Sequence, residues 1–157
     1  DIIALLQEVS LPPERLTLEI TESLLLEETE RTLVWLNQVR AAGVKLSVDD
    51  FGTGFSSLSY LKRFPVNSLK IDQSFVREVI TNTEDAALIR AIIKLAETFA
   101  LDVIAEGVEQ CEQLEFLKQH NCYLIQGYYY SRPLSNDAFI DFLKRRGGGE
   151  VVQFPRP

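Results

Sequence analysis

No methionine occurs among the 157 residues, and histidine and tryptophan occur once each. A chain that opens Asp1-Ile2-Ile3, with no Met and none of the basic and apolar stretches of a signal peptide, is expected to be a piece of something longer. Cysteine is scarce too: Cys111 and Cys122 form no CxxC pair and have no histidine cluster near them, so reduced, structural thiols are expected. Long hydrophobic runs are missing. Leu24 to Leu26 and Ile92 to Ile93 fall far short of the roughly 20 apolar residues that a membrane span needs, so no segment is expected to cross a bilayer. Positive charge is in deficit, with Lys+Arg 16 against Asp+Glu 23 and a net charge of −7. That balance opposes attraction to DNA and to anionic membrane surfaces, and a phosphate ligand would need a metal's help.

What is present suits one globular core: 46% of residues are apolar and 25% charged. Gly147-Gly148-Gly149 cannot continue a helix cheaply, so residues 1–146 are expected to be the ordered domain and 147–157 a flexible Gly-rich tail. Strand-length runs at Leu16–Ile20, Val44–Asp49, Ser68–Ile71, Asp102–Glu106 and Tyr123–Gln126 alternate with helix signals. Leu88, Ile92, Leu95, Ala96 and Phe99 recur at helical spacing behind the cap candidates Asn82 and Thr83, and Phe139, Ile140 and Leu143 do so behind Ser135. The Leu33, Leu36, Val39 stripe stops at Gly43. Such alternation predicts an α/β fold, a parallel sheet or barrel with helices outside.

Strand parity carries the functional argument, because residues i and i+2 share a face. Leu18 and Ile20 oppose Glu19; Leu46 and Val48 oppose Asp49; Leu69 and Ile71 oppose Lys70; Val103 and Ala105 oppose Glu106; Tyr123 and Ile125 oppose Gln126. Each strand thus ends with one polar residue facing away from the helices. In a parallel barrel these positions converge on the C-terminal mouth, where such folds place their chemistry. Three carboxylates crowded there would repel one another unless a cation sat among them, and oxygen ligands suit Mg²⁺ or Mn²⁺. Asp50 offers one more oxygen, and Lys70 could neutralise a phosphoryl group.

The loop Asp50-Phe51-Gly52-Thr53-Gly54-Phe55-Ser56-Ser57-Leu58 reads as a flap over that mouth, with a plain turn capped by Ser56 as the alternative. Its Asp-Phe-Gly has no His-Arg-Asp partner, so a kinase is excluded. His120, with no ligand-spaced partner, is expected at the surface rather than in a metal site. Tyr128, Tyr129 and Tyr130 are expected as core and rim, Trp35 is expected to pack its helix, and Glu27, Glu28 and Glu30 suit a helix N-terminus.

At these residues the chain resembles the EAL-type cyclic-di-GMP phosphodiesterases. The motifs that carry the resemblance are Leu18-Glu19-Ile20-Thr21-Glu22-Ser23, Val48-Asp49-Asp50-Phe51-Gly52-Thr53-Gly54, Leu69-Lys70-Ile71-Asp72, Ala105-Glu106-Gly107-Val108-Glu109 and Gln126-Gly127-Tyr128, within a stretch from Leu16 to Arg145. The resemblance implies a (β/α)8-like TIM-type barrel that hydrolyses cyclic-di-GMP to linear pGpG with Mg²⁺ or Mn²⁺ and is inhibited by Ca²⁺. By that resemblance Glu19, Asp49 and Asp50 are metal ligands, while Lys70 fixes the attacking water and a phosphate oxygen. Glu106 is the essential carboxylate and Gln126 supports the site. Glu22 anchors the flap carrying Gly52 and Gly54, and Glu109 is an acidic partner near it. Asp72 stays outside the candidate set.

The family's Glu-Ala-Leu and Asn-x-Ser motifs, which supply two more metal ligands, have no counterpart here and are expected upstream of Asp1. A whole barrel takes roughly 250 residues and eight strand–helix units, so the chain reads as an N-terminally truncated portion of about five β/α units. The isolated chain is expected to be inactive or nearly so. A non-catalytic cyclic-di-GMP receptor and a protein-interaction module are the alternatives. The resemblance also implies a homodimer through Ser57 to Phe64, upstream diguanylate cyclase or sensory domains, and a cytoplasmic location in a protein that can be a membrane-anchored sensor.

Overall fold

The computed structural model describes residues 2–22, 24, 30–54 and 58–145. The expectations for the tail at 147–157, for Ser23, Glu27 and Glu28, and for the flap tip at 55–57 with the Ser56 cap lie outside the described residues. Strands β1 (Thr17–Thr21), β2 (Lys45–Phe51), β3 (Ser68–Ile71), β4 (Asp102–Ala105) and β5 (Leu124–Ile125) form one sheet in chain order. Every pairing is parallel. Helices α1 (Ile2–Glu8), α2 (Glu30–Ala41), α3 (Leu58–Arg63), α4 (Gln73–Glu78), α5 (Thr83–Phe99), α6 (Cys111–Gln119) and α7 (Asn136–Arg145) precede, connect and follow the strands. Parallel neighbours need such crossovers, and their sequential order is that of a barrel wall.

The helix-facing side of the sheet is the core. Leu46, Val48, Leu69 and Ile71 are fully buried, together with Leu36 and Val39 of α2, Val76 of α4, Ile89 and Ala96 of α5, and Leu117 of α6. Full burial of one such aliphatic side chain is worth about 1.5–3 kcal/mol. Helix α5 starts where Asn82 Oδ1 accepts the N–H groups of Glu84 and Asp85 at 2.9 and 3.4 Å. It ends at Ala100, a left-handed residue at φ +55°. Of the two cap candidates, the asparagine does the capping. Both cysteines are free, and burial pushes the Cys122 thiol up to about 12. His120 stacks on Phe116 at 4.4 Å between ring centroids, with Nδ1 2.7 Å from the Phe116 carbonyl. Trp35 is 45% exposed, and Tyr128 to Tyr130 are also exposed rather than core. Among the described residues no helix is long and apolar enough to cross a membrane.

The strand ends depart from the expected boundaries in a way that matters to the site. β4 stops at Ala105 and β5 is only Leu124–Ile125, so Glu106 and Gln126 lie one residue beyond their strands. β2 runs on to Phe51 through an irregularity: Val48 pairs with Leu69 and Phe51 with Ile71, so β2 spends three residues where β3 spends two. The extra residue is a bulge, with Asp50 at φ +54°. Strict alternation would turn Phe51 away from the core. The bulge returns it there, 4% exposed, and leaves Asp49 and Asp50 together at the mouth.

Candidate functional site

The mouth-facing side of the strands changes from neutral to charged toward the C-terminal ends. Ser47 and Ser68 are buried and bond each other, Ser68 Oγ donating to Ser47 Oγ at 2.9 Å. Two residues further on lie Asp49 and Lys70. The Lys70 ammonium sits 2.7 Å from Glu19 Oε2, 2.9 Å from Asp49 Oδ1 and 2.7 Å from Glu106 Oε1, with its side chain 5% exposed. Burial pulls the ammonium toward its neutral form, but the nearby carboxylates of Glu106, Glu19 and Asp49 outweigh that, and the Lys70 pKa is raised. Three carboxylates around one ammonium leave a local formal charge of −2.

Asp49, Asp50 and Glu106 each turn one carboxylate oxygen into a common space, all within 4.8 Å of one another. A divalent ion with oxygen ligands at roughly 2.0–2.6 Å would span such a set. Asp49 Oδ1 is buried and, despite the nearby ammonium, makes no well-aligned hydrogen bond. A buried, under-satisfied carboxylate oxygen among acidic neighbours fits a hard cation, so the residues present suit Mg²⁺ or Mn²⁺. Glu19 reaches the site through Lys70 and is not part of the oxygen triplet.

Asp72 belongs to this neighbourhood although its place beyond the end of β3 kept it out of the candidate set. It caps α4, accepting the N–H of Ser74 at 2.9 Å and also the Ser74 hydroxyl. Burial works to raise its pKa, but the Ser74 bonds and one from Asp50 hold the Asp72 carboxyl below the ordinary value. Asp50 moves the opposite way: burial, then the charges of Asp49 and Asp72, raise it. The cue was Asp72-Gln73-Ser74, a cap two residues before a serine at a helix start.

Glu22, buried at the end of β1, holds the loop after β2. Its Oε2 accepts the N–H of Gly52 at 3.0 Å and of Gly54 at 3.4 Å. A Cβ at Gly54 would stand 2.9 Å from Glu22 Oε1, so glycine is what allows this approach. Thr53 closes the bulge, its hydroxyl donating to the Asp50 carbonyl at 2.9 Å.

Beside the cluster lies a cavity of about 640 Å³ whose walls include Arg77, Glu106, Glu109, Gln126, Tyr128 and Arg132. The Arg132 guanidinium stacks 4.7 Å from the Tyr128 ring centroid. The cavity's shape depends on Gly127, because a Cβ there would meet the Val108 carbonyl oxygen at 2.2 Å. Glu109 donates its N–H to the buried Gln113 side chain at 2.8 Å. The two arginines were not among the sequence candidates. Gln73 and Arg77 share one face of α4 by their spacing of four, a usable signal, whereas nothing in the pattern marks Arg132.

The family model described as "EAL domain" matches residues 1–133, starting ahead of Leu16 and stopping short of Arg145. The cyclic di-GMP phosphodiesterase NbdA of Pseudomonas aeruginosa is 44% identical over 139 residues, 88% of this chain and 18% of that protein. The bifunctional diguanylate cyclase/cyclic di-GMP phosphodiesterase MucR of the same organism is 47% identical over 131 residues, 83% of this chain and 19% of that protein. The structure of its phosphodiesterase in complex with cyclic-di-GMP superposes with a TM-score of 0.82 at 45% identity, covering 85% of this chain and 54% of that one. Klebsiella pneumoniae BlrP1, solved with manganese and cyclic-di-GMP, gives 0.78 at 32% identity, covering 84% and 34%; it has also been solved with calcium and the same nucleotide. The chain spans about a fifth of the length of the curated relatives it matches.

Proposed function

The chain belongs to the EAL domain family, a TIM-barrel-like α/β fold, and from that premise we propose that it is part of an enzyme that hydrolyses cyclic-di-GMP to linear pGpG with Mg²⁺ or Mn²⁺. The observation that carries this reading is the oxygen triplet of Asp49, Asp50 and Glu106 beside a cavity edged by Arg77 and Arg132. In an acidic chain, those arginines bring positive charge to where an anionic nucleotide would lie. Aromatic faces such as Tyr128 suit a purine base.

A bound divalent ion would polarise a phosphoryl oxygen and lower the pKa of a water. Asp49, Asp50 and Glu106 would hold the ion, and Glu19 would act through Lys70. Glu106 has two carboxylate oxygens: with one given to the ion, the other would accept the proton of the attacking water. The water's oxygen would bond to phosphorus as the bond to the ribose 3′ oxygen breaks, and the proton taken up by Glu106 would end on the departing oxygen. Gln126 borders the same space and orients what binds there. Glu22, Gly52 and Gly54 fix the backbone that carries Asp50.

On this reading the further ligands come from residues outside the 157, so the chain alone turns over little or no cyclic-di-GMP. The intact protein acts in the cytoplasm with sensory or cyclase modules, pairs through Ser57 to Phe64, and is inhibited by Ca²⁺. The test is to follow pGpG formation with Mn²⁺ by the chain and by a version extended to the full family domain. The extended form is expected to be active and its Glu106→Gln variant at least about 10²-fold slower. An inactive extended form, or a Glu106→Gln variant as fast as wild type, would contradict the proposal.

A further inference from the structure

We infer that Lys70 is a built-in counter-cation of the site, holding Glu19, Asp49 and Glu106 together and competing with the divalent ion for Asp49 and Glu106. The inference rests on the reading of the oxygen triplet as a metal site, and it assigns the lysine a role before substrate arrives.

The stoichiometry comes first. Lys70 has three carboxylate oxygens within 2.9 Å, as many as an ammonium has N–H groups, so its charge is shared among Glu19, Asp49 and Glu106. The location comes second. Glu19 is on β1, Asp49 on β2 and Glu106 just past β4, and all three carboxylates reach the Lys70 ammonium on β3, which brings three like charges into one space. Strands pack about 4.8 Å apart, and the Lys70 side chain at their centre is nearly inaccessible. Without a cation there, the carboxylates would repel one another or take up protons. The overlap comes third: Asp49 and Glu106 belong both to the ammonium's partners and to the oxygen triplet. A dication entering the triplet meets a positive charge on two of its three ligands, and its arrival weakens the hold on Lys70. A released ammonium can then turn to an anion. Metal loading and the availability of Lys70 to a phosphoryl oxygen thus become linked events.

The test is Mn²⁺ binding to the chain, read as free Mn²⁺ by electron paramagnetic resonance, together with thermal unfolding with and without Mn²⁺. Lys70→Met removes the charge and keeps the stem. It is expected to bind Mn²⁺ at least about tenfold more tightly than wild type, to unfold at a lower temperature without metal, and to regain most of that loss when Mn²⁺ is added. Lys70→Arg keeps the charge and is expected to stay near wild-type affinity. A Lys70→Met protein that binds Mn²⁺ no better than wild type, or that stays unfolded in millimolar Mn²⁺, would overturn the inference. So would equal tightening in Lys70→Arg. Tighter binding by Lys70→Met alongside an extended domain that never cleaves cyclic-di-GMP would support the counter-cation while removing the phosphodiesterase reading.

Discussion

Leu46, Val48, Leu69 and Ile71 on one side of β2 and β3 are covered by helices, while Ser47, Asp49, Ser68 and Lys70 alternate with them on the other. The two sides share backbone and strand pairing and are held together differently. On the helix side each side chain touches many apolar neighbours, so the loss of one leaves the rest in place and removes area and packing. On the mouth side each group is held by named partners, and the loss of one leaves the others buried and uncompensated. The apolar side stores stability; the polar side stores geometry that depends on a cation.

The sharpest way to break that comparison is Lys70→Ala. It is expected to cost about 3 kcal/mol in denaturant unfolding, because the partly buried carboxylates of Asp49 and Glu106 lose their counter-ion. A double-mutant cycle with Glu106→Gln should recover part of that, since one repelling charge goes with it. Leu69→Ala, the adjacent residue on the other side, should cost about 3 kcal/mol and leave Mn²⁺ affinity unchanged. Any large change in affinity would mean that the two sides are not separable. Glu22→Gln should cost about 2 kcal/mol by weakening charge-assisted bonds to Gly52 and Gly54. Hydrogen exchange should then speed up at those two amides before it does so in β3.

The smallest effect is in pH. A raised carboxyl pKa means that the fold favours protonated Asp50, so this group's contribution is best at low pH and is lost as pH rises through the folded value. Asp50→Asn should therefore raise the melting temperature at neutral pH, with the gain shrinking on acidification. Asp72, lowered in the fold, works in the opposite sense: its stabilisation is present at neutral pH and lost as pH falls. Asp72→Asn should thus lower the melting temperature at neutral pH, and changes of the same sign in the two variants would contradict the opposite shifts.

Much of the site was legible because strand periodicity is a local property. Glu19, Asp49 and Lys70 lie on consecutive strands and Glu106 just past the next, and parity puts all four on the mouth side. The cap at Asn82 was legible for the same reason, since one residue and the two amides after it decide it. The bulge was not: nothing in Val48-Asp49-Asp50-Phe51 declares where an extra residue will be accommodated. That depends on Phe51 finding the core opposite Ile71. Lys70 was expected to face a phosphoryl group; its three carboxylate contacts, all within 2.9 Å, were not foreseen. Those contacts depend on distances across three strands. Arg77 and Arg132 come to one cavity from α4 and from the segment before α7, a juxtaposition set by helix packing.

The account stands most directly on where a divalent ion goes. Adding Mn²⁺ to the ¹⁵N-labelled chain and mapping paramagnetic broadening measures this even when binding is weak. The account predicts broadening centred on the amides of Asp49, Asp50, Lys70, Glu106 and Gly107, abolished by Asp49→Asn. Broadening centred on another acidic part of the surface, or none at millimolar Mn²⁺, would contradict it.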